Sequence, residues 1–203
     1  MANSHPITGK KLYSIPELYG IAHKSFRSGG DFSHGLKSGL LSEQLKERIM
    51  RAVTAVNDCP MCSYAHTEMA LKSGLSPEEV KLFVSGDFPD IPDREVKAVL
   101  FAQHYADRRG KPSRSAWEEL VHTYGEEQAR CILAACRIIM MGNSGGIVLS
   151  SVGNRLHHQP PDPRSSIGYE LSVLLCLFPI LLISLVHALL GRLFHTPVIR
   201  PAD

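Results

Sequence analysis

The sequence has no dominant sign of charge. Its 22 Lys and Arg against 20 Asp and Glu leave a formal net charge of +2 at pH 7, so there is no electrostatic case for nucleic-acid binding. Aromatics are few, 7% of residues with one Trp, and they are scattered, so no platform for stacking bases is visible. Short alternating β-branched runs between turn residues are scarce, which argues against a sheet. No repeat is long enough for a solenoid. The opening residues, MANSHPITGKKLYSIPELYG, contain no apolar core of a secretory signal. The main domain is therefore expected in a reducing, cytoplasmic compartment, where structural disulfides are rare. Cysteines number five: Cys59, Cys62, Cys131, Cys136 and Cys176.

A chain of 203 residues is long enough for one domain with a sizeable core and an extension. Its patterning is helical throughout. A first helix is expected over about residues 14–28, followed by a Gly/Ser/Asp loop. Ser42 caps a second, in which Leu45, Ile49, Ala52, Val53 and Val56 recur at helical spacing as a buried stripe. Glu47 lies off that stripe, nearer Met50 and Thr54. Pro60 fits the first position of a third helix, with Cys59 as its cap and an end near Gly74. Capping boxes are read at Ser76–Glu79 and at Ser115–Glu118. Between them an amphipathic helix over about 92–109 runs through Val96, Val99, Leu100 and Ala102. An apolar helix follows from about Glu126 to Met141. The run Gly142-Asn143-Ser144-Gly145-Gly146 either breaks it or packs tightly on a neighbour, and IVLSSVGNRL continues it. HHQPPDPRSS, from His157 to Ser166, is a linker by composition.

Chemistry concentrates in NDCPMCSYAHTEMALKSG, Asn57 to Gly74. A thiolate is the reactive form of cysteine, and the unpaired N–H groups at a helix start favour it. Cys59 and Cys62 both sit at such a start, close enough in sequence to join with little backbone movement. His66, four residues after Cys62, stands one turn along the same face, where it can relay a proton. Three readings compete: a dithiol–disulfide centre, a zinc site and core packing. Structural zinc needs four ligands, and no second Cys-x-x-Cys or His-x-x-x-His is present, so Glu47 would have to complete it. Cys131 and Cys136 point about 140° apart on a helix and read as core, and Cys176 reads as packing. His104, His122, His157 and His158 lack partners at a recognisable spacing and read as surface residues.

The spacing Glu47-(x11)-Cys59-Pro-Met-Cys62-(x3)-His66, followed by MALKSGLSPEEV, resembles the carboxymuconolactone decarboxylase-like superfamily, and within it the alkylhydroperoxidase D-like branch. The resemblance is strongest over about residues 40–85 and extends loosely to 155. It implies an all-α fold, a helical alkylhydroperoxidase D-like bundle, assembled as a homo-oligomer commonly built on trimers. It implies thiol peroxidase activity on (alkyl) hydroperoxides with no cofactor and no metal, and a thioredoxin-like or lipoyl-like dithiol protein as reductant. Carried onto this chain, Glu47 is the base, His66 the relay, Cys62 the peroxide-reacting thiol and Cys59 the resolving thiol. Exposure at the helix end would make Cys59 the sulfur an outside reductant reaches. The chain departs from the branch at Met61, where the branch carries a histidine. The lactone decarboxylases that name the superfamily generally lack the Cys-x-x-Cys, which argues against lactone decarboxylation. A general disulfide oxidoreductase, and a membrane-attached scaffold with a vestigial or zinc-bound site, are the alternatives.

The expected organisation is a helical domain over 1–155, a Pro-rich linker over 156–168 and an additional apolar helix over 169–194. LSVLLCLFPILLISLVHALL, Leu171 to Leu190, contains no formally charged side chain. Its length is about one bilayer crossing. A transmembrane anchor, an oligomer interface and a long core helix all fit that run.

Overall fold

The computed structural model describes residues 11–85 and 91–197; the first ten residues of the expected helical domain lie outside them. The described residues form seven helices and no strand: α1 (Ile15–Ser38), α2 (Glu43–Asn57), α3 (Pro60–Lys72), α4 (Pro77–Ser85), α5 (Asp93–Asp107), α6 (Arg114–Leu156) and α7 (Ile167–Leu193). The all-α expectation holds. The core lies where α1, α2 and α5 close on α6, around Ile49, Val53, Val99, Ile132, Leu133 and Met140, all fully buried.

Local signals set most boundaries. Ser42 Oγ accepts the Leu45 N–H at 3.1 Å to start α2. Pro60 opens α3 behind Cys59. Gly74, with φ +91°, ends it by turning the Leu75 N–H back to the Ala70 carbonyl at 3.1 Å and its own N–H to Leu71 at 3.1 Å. Ser76 Oγ takes the Glu79 N–H, but the Glu79 carboxylate does not close the expected box. Both its oxygens bind Arg48, at 2.6 and 3.2 Å. Ser113, not Ser115, caps α6. Leu100, placed on the buried stripe of α5 by its spacing, faces outward, and the core side carries Ala98, Val99, Phe101, Ala102 and Tyr105 instead. His104 is half-buried rather than at the surface, and its Nε2 accepts the Ser113 N–H at 3.1 Å. His157 and His158 are exposed.

Two glycine-rich stretches behave differently from expectation. α1 runs straight through SGGDFSHG, where a loop was expected, because contacts on both sides of Gly29 and Gly30 hold it helical. Arg137 donates to Ser28 Oγ at 2.9 Å. Arg27 donates to the Thr196 carbonyl at 2.6 Å. A Cβ on Gly35 would lie 2.8 Å from Cys131 Cβ, so this glycine lets α1 approach α6. In α6, the run from Gly142 to Gly146 does not break the helix. The kink is at Gly125, with φ +75° and ψ 159°.

Helix α7 lies along α1 and runs in the same direction. Tyr169 Oη donates to Tyr13 O, Ser184 Oγ to Tyr19 O and Arg192 to Phe26 O. Tyr19 Oη and His187 Nδ1 share a hydrogen bond at 2.5 Å, and the His23 and His187 rings stack with centroids 4.1 Å apart. The linker before α7 is docked rather than free. Arg164 donates to the carbonyls of Asn57 and Asp58 at 3.2 and 3.0 Å and pairs with Asp162 at 2.5 Å, while Asp162 N–H binds Ser151 Oγ. α6 and α7 are both long and apolar enough to cross a membrane. The apolar window of α6 is 72% buried in the fold, that of α7 only 22%, so α6 is a core helix.

The Gly35 contact sets a test of α1–α6 packing. Gly35→Val should destabilise the fold by about 1–3 kcal/mol through overpacking against Cys131, read as a lowered midpoint in denaturant unfolding. Gly30→Ala, where a Cβ meets nothing within 4 Å, should be neutral or slightly stabilising.

Candidate active site

Helices α2, α3 and α6 build the site. α2 is held from below by its arginines. Arg48 reaches Glu79 and Glu95, at 2.6 and 2.7 Å, and Arg51 reaches Thr67 Oγ1 and the Val80 carbonyl, at 3.0 and 2.8 Å. These contacts tie α2 to α3, α4 and α5 and fix the face that carries Glu47. The turn into α3 passes through Asp58 in the left-handed region, φ 52°, and brings Cys59 to the helix cap.

Cys59 and Cys62 are joined as a disulfide, S–S 2.13 Å with Cα atoms 5.3 Å apart. Cys59 Sγ also accepts the Cys62 N–H at 3.3 Å, so the cysteine caps its own helix. The pair rests against α6. A Cβ on Gly146 would lie 2.7 Å from Cys62 Sγ, 2.8 Å from Cys59 Sγ and 3.2 Å from Met61 Cε. The glycine run therefore acts as a packing surface, and Gly146 is the position that admits the two sulfurs. Ile147 and Leu12 line the same small apolar cluster. The cap position does not expose Cys59 as expected: Cys59 is 1% exposed and Cys62 7%, and both sulfurs lie against Gly146 of α6. Pro60, Met61 and Tyr64 are exposed in the first turns.

Glu47 and His66, predicted to act with Cys62, meet directly. His66 Nδ1 donates to Glu47 Oε2 at 2.9 Å, with Glu47 1% exposed. Lys46 Nζ lies 3.2 Å from the other carboxylate oxygen. Burial pushes the Glu47 carboxyl up, but the His66 hydrogen bond and charge, helped by Lys46, outweigh it and hold the group below the ordinary carboxylate range. The carboxylate is thus ionised at neutral pH and fixes the imidazole with Nδ1 protonated, leaving Nε2 as its second functional nitrogen. Among the described residues no hydrogen bond joins His66 to either sulfur in the disulfide form. The four predicted side chains form two pairs on α2 and α3, Glu47 with His66 and Cys59 with Cys62, and His66 stands one turn along α3 from Cys62. Sequence reasoning missed Gly146 as the specific contact, the Arg164 clasp on the Asn57 and Asp58 carbonyls, and Asn143, which is fully buried one turn before Gly146 and bound by Thr54.

Chemically, the arrangement can cycle between dithiol and disulfide, with an ionised carboxylate–imidazole pair beside it to take and return a proton. Cys131 and Cys136 do not compete. Burial pushes both thiols up, away from the reactive thiolate. Among the described residues no three His, Cys, Asp or Glu side chains are arranged to hold a metal.

If Gly146 seats the disulfide, Gly146→Ala should destabilise the oxidised protein by about 1–3 kcal/mol. Thermal unfolding with and without a reductant checks this: the loss should shrink once the sulfurs are free to separate.

Residues 28–103, from the middle of α1 to the last turns of α5, match the model of the carboxymuconolactone decarboxylase family. No curated protein and no solved structure matches the chain. The matched stretch contains Glu47, Cys59, Cys62 and His66 and stops short of α6 and α7. That stretch, less than half of the chain, is similar to the carboxymuconolactone decarboxylase family, and an alkylhydroperoxidase D-like branch is compatible with the match.

Proposed function

We propose that the protein is a thiol-dependent peroxidase that reduces hydroperoxides through the Cys59–Cys62 pair. The observation that carries the reading is the buried Glu47–His66 pair placed beside a capped, helix-initiating Cys-x-x-Cys. In the dithiol form, the pair accepts the Cys62 proton. The Cys62 thiolate then attacks the terminal oxygen of ROOH. An S–O bond forms, the O–O bond breaks, and both of its electrons leave with RO⁻, which takes the proton and departs as ROH. Cys62 is left as a sulfenic acid. The Cys59 thiolate attacks Cys62 Sγ, the S–S bond forms and hydroxide leaves, protonated as water. An external dithiol returns the disulfide to two thiols, its own pair becoming oxidised, by exchange at Cys62, the less enclosed sulfur. Glu47 stays charged until the pH falls through its lowered pKa, so it can serve as the base of the relay at neutral pH.

Peroxide consumption with dithiothreitol as reductant tests this reading. Cys62→Ser should abolish it, and Cys59→Ser should leave a sulfenic acid on Cys62 that dimedone traps. Glu47→Gln should slow it about 10²–10⁴-fold. In the wild type the acid-side loss of rate assigned to Glu47 should fall below pH 4.5, the ordinary value for the group. Equal consumption by wild type and Cys62→Ser would end the peroxidase reading. Turnover of a model disulfide without any peroxide activity would favour the general disulfide oxidoreductase.

We further propose that the outer face of α7 is covered by a second copy of the chain. Leu171, Leu175, Phe178, Ile183, Leu189 and Leu193 stand exposed along it. Its inner face is bound to polar groups of α1, including Arg27 and His23, which are costly in hydrocarbon. This favours assembly over a membrane crossing. Sedimentation should give an oligomer that Leu175→Glu with Phe178→Glu dissociates. Retention in carbonate-washed membranes would instead assign the face to lipid.

A further inference from the structure

Asn143 is fully buried on α6 and the thiol chemistry described above gives it no role. Its neighbours on the helix define where it stands. Gly142, one residue before, places its carbonyl oxygen 3.7 Å from Cys62 Sγ. Gly146, one turn after, is the residue whose Cα faces both sulfurs. From across the core, Thr54, in the last turn of α2 before the Cys59 corner, donates its hydroxyl to Asn143 Oδ1 at 3.1 Å. Thr54 is itself 3% exposed, and its hydrogen bond fixes the plane of the amide. The other end of that amide, Nδ2, is buried and meets no hydrogen-bond acceptor among the described residues.

A buried amide N–H₂ without an acceptor is costly, and natural cores rarely retain one without a use. Here an apolar residue of similar size would fill the position at no such cost. The group lies on the stretch of α6 that touches the sulfurs. In the disulfide form those sulfurs carry no charge and accept hydrogen bonds weakly. Reduction changes this. Cys62 Sγ separates from Cys59 Sγ and becomes, as a thiolate, a strong acceptor of N–H hydrogen bonds.

We propose that Asn143 is a catalytic residue of the thiol centre, its Nδ2 donating a hydrogen bond to the Cys62 thiolate once the disulfide is reduced. Thr54 is the positioning residue that turns the amide so that its donor end faces the sulfur. The proposal rests on Cys62 being the attacking thiol, and it adds a donor from α6 to the carboxylate–imidazole pair from α2 and α3. The two roles differ: Glu47 and His66 move a proton, whereas Asn143 holds the resulting charge without moving one. No electron or atom is transferred to or from the amide.

The test reads Cys62 itself, not turnover. Fully reduced full-length protein is alkylated with iodoacetamide across pH 5–10, and labelling of the Cys62 peptide is followed by mass spectrometry. Asn143→Ala should raise the midpoint of the Cys62 profile by about one pH unit and slow labelling at pH 7 roughly tenfold. Asn143→Asp, which keeps the shape but replaces the donor with an acceptor, should raise it at least as far. Thr54→Val should move it in the same direction by less. Circular dichroism confirms that each variant is folded. If Asn143→Ala does not fold, Asn143→Asp and Thr54→Val decide the matter. A Cys62 profile unchanged in the folded variants overturns the proposal, as does a shift for Ala with none for Asp, which would reduce Asn143 to a space-filling residue. Absence of peroxide consumption by the wild type would end the peroxidase reading while leaving this measurement intact.

Discussion

The carboxylate of Glu47 sits inside a helical core at 1% exposure, and an ionised group there persists only if its partners are fixed. One partner, His66, comes from the next helix at 2.9 Å. That single contact dictates much of the surrounding architecture. α2 and α3 must meet at a defined angle, so the turn between them is a tight one through Asp58, and the capping cysteine follows at once. α2 must not rotate, and two buried arginines, Arg48 and Arg51, clamp it to three neighbouring helices. The proton-handling pair and the sulfur pair are then delivered by the two arms of one helical hairpin.

The third wall, α6, contributes by what it omits as well as by what it carries. Gly146 presents only backbone to the sulfurs, and any side chain there would collide with them. Neighbouring Asn143 carries a buried amide on the same stretch, set by Thr54. A long apolar helix thus changes character over five residues where it crosses the site, then resumes its ordinary core pattern.

Much of the site was legible because its signals are local. Ser42, Pro60 and Gly74 mark helix ends through backbone requirements that hold in any fold, and the Glu47, Cys59, Cys62 and His66 spacing sits on two successive helices. What the sequence left open depended on distant partners. Gly29 and Gly30 look like a loop because nothing nearby reveals Arg137, Cys131 or Thr196 holding α1 helical on either side. Glu79 satisfies the local pattern of a capping box, yet Arg48, 31 residues away, offers a charged partner and wins. Cys59 looked accessible as a helix cap until α6 was laid over it. Asn143 had no spacing signal at all, since its meaning comes from Thr54, 89 residues earlier.

Arg164 joins the residues after α6 to the two carbonyls, of Asn57 and Asp58, that immediately precede Cys59. The segment beyond the family match is thereby stitched to the cysteine corner, and α7 is laid along α1 by a continuous row of polar contacts. A shortened chain that stops at the end of α6 would lose the guanidinium that satisfies those carbonyls and uncover the flank of α1. The C-terminal part is therefore not a detachable appendage. The corner that carries the sulfurs relies on Arg164, and the flank of α1 relies on α7, so a boundary for producing this protein in isolation belongs after α7.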